Sequence, residues 1–267
     1  ADITSGDLRA VISQNDQKLV CAGTFIQNKQ NVIGCARYLS SGILDADFGD
    51  RGLTLIGQGE QAEANAVNLQ STGKIILAGF YSNSITSYCL CVRLLANGVL
   101  DTSFAQNGYL IETALENAQI VDIAIQSDDK ILVCGTYAQE GQLHIFLIRY
   151  TADGIRDNNF GQAGIASYRL GYHSGACGLA IQTDHKIIVS GFNVSDVREI
   201  LLVRFNSDGS LDTGYGDQGG VITVNGASSQ PEAIVIDQNN NAFIAGTSDN
   251  QFLMAKYTVT GILDTNF

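Results

Sequence analysis

Residues 93–104 read "RLLANGVLDTSF", and this stretch decides the fold because close copies of it stand at four other places in the chain. Aligned on its aspartate, the motif runs "LDADF" at Leu44–Phe48, "LDTSF" at Leu100–Phe104, "RDNNF" at Arg156–Phe160, "LDTGY" at Leu211–Tyr215 and "LDTNF" at Leu263–Phe267. The aspartates, Asp45, Asp101, Asp157, Asp212 and Asp264, are 56, 56, 55 and 52 residues apart. Self-similarity at such a period marks a repeat architecture, in which one unit cannot bury its faces alone and neighbours stack into a continuous core.

Further columns move with the aspartate. A glycine three residues earlier recurs as Gly42, Gly98, Gly154, Gly209 and Gly261, and a base eight residues earlier as Arg37, Arg93, Arg149, Arg204 and Lys256. Each unit also carries a short apolar segment, "KLVCAG", "KIILAG", "KILVCG", "KIIVSG" or "NAFIAG". In the second unit, "ANAVNLQ", the turn "STG", "KIILAGFY", a loop, "CLCVRLL", the turn "ANGVLDTSFAQNG" and "YLI" read as four strands. They are β-branched-rich runs bounded by glycine turns, and apolar at nearly every position because both faces are covered.

Four strands in about 50 residues is the size of a propeller blade. The sequence therefore predicts an all-β, five-bladed β-propeller of four-stranded antiparallel blades, a single domain over residues 1–267. "AVNLQ" is expected innermost and "YLI" outermost, with residues 1–4 ("ADIT") supplying the outer strand of the last blade and closing the ring, which removes exposed sheet edges.

The segments "STGKIILAGF", "VRLLANGVLDTSFAQNG" and "IRYTADGIRDNNFGQAG" resemble the delta-60 repeat family, also described as a domain of unknown function with a β-propeller fold. The resemblance covers essentially the whole chain. It departs mildly at Arg156, Tyr215, Asn241 and Lys256, and it implies a propeller without an activity, catalytic residues or a cofactor.

A net charge of −12 with no Lys/Arg cluster makes nucleic acid and anionic membrane surfaces poor partners. Apolar runs such as "EILLVRF" are too short to cross a bilayer, so no membrane insertion is expected. No leader is visible, which with Ala1 in place of Met says little of compartment; an extracytoplasmic one is favoured over the cytoplasm. A monomer is expected.

The Arg and Asp columns admit five acid/base pairs or a scaffold. Catalytic machinery is built once per domain, whereas a feature in every blade holds the blade together, so each Asp is expected to cap its turn and pair with the basic residue. The six cysteines lie in apolar columns, without the spacing of a zinc or thioredoxin-like site, and read as core thiols; a Cys21–Cys35 cross-strand bridge is the alternative. No metal or other cofactor is expected. "NVS" at Asn193 is a glycosylation sequon.

Binding is expected on the variable loops, with Phe25, Tyr81 and Tyr137 in one column and His144, Tyr172 and His173 beside Tyr137. Aromatic and imidazole groups among Asn, Gln and Ser suit a carbohydrate or a protein or peptide ligand; ordinary exposed loop residues are the bland alternative. The expected function is thus a non-enzymatic, lectin-like binding or interaction module without catalytic residues. A glycoside-processing enzyme with channel carboxylates, drawn from Glu232, Glu63 and Glu116, is one alternative. A purely structural repeat domain is another.

Overall fold

The computed structural model describes residues 3–57, 60–223 and 228–267, and the side chains of residues 3 and 4 are not described. The described residues form strands and turns and contain no helix. Parts of two crossover loops, "GQGEQAEA" and "NGASSQPE", and residues 1–2 of "ADIT" therefore lie outside the described residues.

The first sheet is β1 (Ile3–Ser13), β2 (Leu19–Gln27), β3 (Gln30–Tyr38) and β4 (Leu53–Ile56). The second is β5 (Gln61–Leu69), β6 (Ile75–Ser82), β7 (Ser87–Leu94) and β8 (Tyr109–Glu112). The third is β9 (Ala118–Ile125), β10 (Ile131–Gln139), β11 (Gln142–Tyr150) and β12 (Ile165–Tyr168), and the fourth is β13 (His173–Ile181), β14 (Ile187–Val194), β15 (Arg198–Phe205) and β16 (Gly220–Thr223). The fifth has three strands among the described residues: β17 (Ser229–Ile236), β18 (Ala242–Ser248) and β19 (Gln251–Tyr257). In every sheet strand order follows chain order, as the hairpin-length turns require. Ile3, expected in the outer strand of the last blade, opens β1 and pairs with Gln27 of β2.

Contacts divide the chain into two compact units, one of Ala1–Ile131 with Tyr150–Ile155, the other of Leu132–Arg149 with Arg156–Phe267. The core of the first lies between its two complete sheets, where Val20, Ala22, Ile33 and Cys35 meet Ala64, Val67, Ile75, Leu77 and Leu90. In the second, Ile188, Ile200 and Leu202 meet Ala242, Ile244 and Ala255 in the same way.

One joint is repeated between neighbouring sheets. Arg93 is 2% exposed, and its Nε lies 2.8 Å from Asp101 Oδ2 while its Nη1 donates to Ala152 O of the following turn at 2.7 Å. Arg37 reaches Asp45 at 2.8 Å and Ala96 O at 2.7 Å; Arg149 reaches Asp157 at 2.9 Å and Ser207 O at 2.7 Å. Arg204 bonds Asp212 at 2.7 Å and Val259 O, and Lys256 meets Asp264 at 2.9 Å. The other carboxylate oxygen caps the turn, as where Asp101 Oδ1 accepts the Ser103 N–H at 3.1 Å.

Each guanidinium also lies over the aromatic that ends its motif, at 4.5 Å for Arg37 and Phe48, 4.6 Å for Arg93 and Phe104, 4.6 Å for Arg149 and Phe160 and 4.3 Å for Arg204 and Tyr215. A second cation, not singled out in the sequence, joins the aspartate: Lys18 at 3.1 Å from Asp45, Lys74 at 2.9 Å from Asp101 and Lys186 at 2.9 Å from Asp212. Burial alone would raise the Asp101 carboxyl; hydrogen bonds from Ser103 and Lys74, with the charge of Arg93, outweigh it and hold the group well below the usual carboxylate range.

Candidate functional site

The first strand of four of the sheets carries a bulge that turns one side chain out of register. The pairing shifts between Leu8 and Ala10, between Ala64 and Ala66, between Ala176 and Gly178 and between Pro231 and Ala233, leaving Arg9, Asn65, Cys177 and Glu232 as the extra residues. The glycine of each "AG" segment makes room for this: a Cβ on Gly79 would fall 2.0 Å from Glu63 O. In the first unit the bulge residues form a polar chain. Arg9 Nη1 meets Glu63 Oε2 at 2.8 Å and Asn65 Oδ1 at 2.7 Å, Asn31 donates to Glu63 Oε1 at 3.2 Å, and Asn65 donates to Ile120 O at 2.8 Å. Both oxygens of Glu63 thus face donors, which suits a fixed carboxylate.

The expected ligand residues separate into three groups. Phe25 is buried, its ring under Gly6 and beside Gly34, where a Cβ would meet it at 2.8 Å and 3.1 Å. A glycine at each of these places is what lets an aromatic turn inward there. Tyr81 is half-buried and stacked on Tyr88 with ring centroids 5.5 Å apart; burial and then Tyr88 raise its phenol.

Tyr137, His144, Tyr172 and His173 belong to one cluster in the second unit. The Tyr137 and His144 rings lie 5.0 Å apart, Tyr172 stands edge-on to His173 at 5.4 Å, and His173 Nδ1 accepts the Leu143 N–H at 3.1 Å. That hydrogen bond ties the start of β13 to the β10–β11 hairpin and leaves the His173 ring proton on Nε2. Arg169, which the sequence reading missed, donates to Gln142 at the same rim. Its only sequence signal is a base in a crossover loop. Tyr172 and Arg169 are exposed, and Tyr137, His144 and His173 are half-buried, so the cluster offers ring surface and polar edges together.

Burial, and then the charge of Arg169, hold His144 below the ordinary histidine value. NMR titration is expected to find His144 below about 6.5, with Arg169→Met bringing it part of the way back while the effect of burial stays. An unchanged titration in the variant would remove Arg169 from the neighbourhood of the ring.

The remaining candidates resolve structurally. None of the six cysteines forms a disulfide; the Cys21–Cys35 alternative fails on register, because Cys21 pairs with Ala36 and Cys35 with Ala22. Burial pushes the Cys35 and Cys91 thiols up to about 12, which makes them inert. Asn193 of the sequon is buried in β14 and donates to Glu199 at 2.9 Å, so a glycan has no room there. Glu112 is buried as well, accepting the Tyr150 hydroxyl at 3.0 Å and the Ala114 N–H at 2.8 Å. Among the described residues no group of three or more His, Cys, Asp or Glu is placed to hold a metal, and no helix is long and apolar enough to cross a membrane.

The repeat geometry has a counterpart in known sequences. Residues 70–104, 126–160 and 182–215 match the model of a family described as a domain of unknown function (DUF5122) beta-propeller. These three segments are β-propeller repeats. Each runs from the Gln just past the first strand of a sheet to the aromatic of the D-x-x-F/Y turn, the stretch that forms the joint described above. No curated protein matches the chain. Among solved structures, a protein of unknown function from Dyadobacter fermentans DSM 18053 is similar at a TM-score of 0.61 and 8% identity, over 96% of this chain and 79% of that one. A protein from Lactobacillus plantarum is similar at a TM-score of 0.59 and 12% identity, over 96% of this chain and 69% of the other. At these identities the likeness is one of fold.

Proposed function

We propose that the chain is a non-enzymatic binding module, its five repeats serving as consecutive blades of the delta-60 type, which presents the Tyr137–His144–Tyr172–His173 cluster to a carbohydrate or peptide. The observation that carries this reading is the bond from Leu143 N–H to His173 Nδ1. It fixes the start of β13 against the start of β11, two strands of separate sheets, and such preorganisation lowers the ordering penalty of binding. The Tyr137 and His144 rings, tilted by 36° to each other, supply aromatic surface, while Arg169, Gln142 and the His173 Nε2–H supply directional polar groups.

A glycoside-processing enzyme would need two carboxyl groups that face the substrate from one pocket. Glu63 faces Arg9 and Asn31 instead, and Glu112 faces Tyr150 and a backbone N–H, which favours the binder.

A glycan and peptide array with the intact chain tests the reading. Tyr137→Ala and Tyr172→Ala are each expected to weaken the bound class by about tenfold or more, the 1.4 kcal/mol scale of an aromatic contact. Undiminished binding in both variants would move the site elsewhere, and release of hydrolysed sugar would return the enzyme.

A further inference from the structure

The turn after the first strand of a sheet makes a contact of its own. Within the first unit, Gln70 Nε2 donates to Asp129 O at 3.2 Å, and the Asp129 carboxylate accepts the Ser71 N–H at 2.7 Å and the Ser71 hydroxyl at 2.5 Å. Within the second, Gln182 Nε2 donates to Asn240 O at 2.8 Å, and Asn240 Oδ1 accepts the Thr183 N–H at 2.8 Å. In both places the Asp or Asn of one turn satisfies the backbone N–H of the turn before it.

Gly73 occupies the column of Asp129 and Asn240. Its φ of +78° is close to their +61° and +63°, a conformation that Asp and Asn tolerate, so the backbone does not demand glycine. A Cβ there would meet only Ala96 Cβ, at 3.7 Å. Beside Gly73 lies a cavity of about 420 Å³, whose lining includes Gln14, Asn15, Asp16, Arg37 and Ser71. Asn15 stands in the column of Ser71 and Thr183, and neither its N–H nor its carboxamide has a partner among the described residues. Gln14 Oε1 is buried without a hydrogen-bond partner, where the equivalent Gln70 Oε1 accepts from Arg93 at 3.2 Å.

We propose that this cavity binds a carboxylate, in the place that the Asp129 side chain takes one repeat later. One oxygen accepts the Asn15 N–H and the other the Asn15 side-chain amide, as Asp129 accepts both donors of Ser71. Arg37 and Lys18 offset Asp45 and Asp16 beside the cavity, so an incoming anion meets no net negative charge from these four groups. A carboxylate fills only part of a volume that lies in the range of small-molecule sites, so it is carried on a larger body, either a free organic acid or the acidic side chain of a peptide. All the residues named for this site belong to the first unit, and none belongs to the Tyr137–His144–Tyr172–His173 cluster.

Amide NMR of the 267-residue chain near neutral pH tests this with acetate as the probe, against sodium chloride at the same ionic strength. The Asn15 N–H resonance is expected to move and to saturate at millimolar acetate. Gly73→Asp supplies the carboxylate from the chain itself and is expected to weaken acetate binding by about tenfold or more. Asn15 is the second residue of a turn closed by the Gln17 N–H on Gln14 O at 2.9 Å, a position that suits proline. Asn15→Pro therefore keeps the turn, removes both donors and is expected to cause the same loss, read at the Gly73 N–H.

Acetamide, uncharged and with one oxygen, is expected to bind about tenfold more weakly than acetate. N-acetylaspartate amide binding more tightly than acetate would place the carboxylate on a peptide; succinate binding more tightly would place it on a free acid. A shift that never saturates, binding undiminished in Gly73→Asp and Asn15→Pro, or acetamide matching acetate would each overturn the proposal. Should Gly73→Asp fail to fold, undiminished acetate binding in Asn15→Pro alone would overturn it.

Discussion

Arg93→Met is expected to destabilise the chain by about 3 to 5 kcal/mol, the range for breaking a buried ion pair from one side. The guanidinium is 2% exposed, and its partners include Asp101 Oδ2 at 2.8 Å, Ala152 O at 2.7 Å, Gln70 Oε1 at 3.2 Å, Ser103 Oγ at 3.3 Å, Asp153 Oδ1 at 3.4 Å and the face of Phe104. Methionine fills some of the volume but leaves Asp101 with Lys74 as its only cation among those named here, and leaves Ala152 O without this donor. Denaturant unfolding with an unchanged slope would read the loss as a shift in midpoint. Lys256→Met, at the same column, is expected to lose about 1 kcal/mol or less, because both partners of the Lys256–Asp264 pair are about a quarter exposed.

Asp101→Asn in the Arg93→Met background should recover part of the loss. It removes the stranded charge while keeping an oxygen for the Ser103 N–H, so the two substitutions are expected to be less than additive. A loss below about 1 kcal/mol for Arg93→Met, the value of a surface pair, would mean that the joint does not hold the sheets together.

The pair also sets an acid window. The folded Asp101 carboxyl lies well below its unfolded value of about 3.9, so its contribution is complete above that pH and drains away as the pH falls toward the folded value. Arg93→Met, which takes away one of the causes of the depression, should lose less stability than the wild type between about pH 4 and pH 2.

The columns made most of this legible. A motif repeated five times, with Arg or Lys eight residues before Asp, reads as scaffold, and strand order follows from turn lengths. The reach of Arg93 to Ala152 and of Arg37 to Ala96 was hidden, because it joins residues nearly 60 positions apart in successive repeats, and an alignment of repeats says which positions are equivalent but not which ones touch. The Lys18, Lys74 and Lys186 contacts escaped for the same reason.

At the candidate site a column misled in the opposite way. Phe25, Tyr81 and Tyr137 are equivalent in sequence, yet Phe25 is core, because Gly6 and Gly34 open space for its ring. Asn193 in its sequon failed on burial, which a local motif does not encode. Arg169 and the His173 tie belong to a crossover loop, the part of the repeat that does not repeat. There the sequence gives residue types, and only the backbone path decides which of them meet.

The two glycines Gly154 and Gly42 separate the joint from the turn it rests on. Both adopt φ of +81°, so alanine at either position meets the same left-handed strain, about 1 to 2 kcal/mol. They differ in what a Cβ would touch. At Gly154 it would lie 2.6 Å from Phe104 Cε2, a ring that is fully buried and capped on its other side by Arg93; at Gly42 it would meet open space. Overpacking a site that cannot relax adds about 1 to 3 kcal/mol. Gly154→Ala is therefore expected to lose about 2 to 5 kcal/mol and Gly42→Ala only about 1 to 2. Phe104→Leu in the Gly154→Ala background should return part of the difference, because a smaller side chain leaves the methyl a place. Equal losses at the two glycines would mean that the ring does not press on the turn.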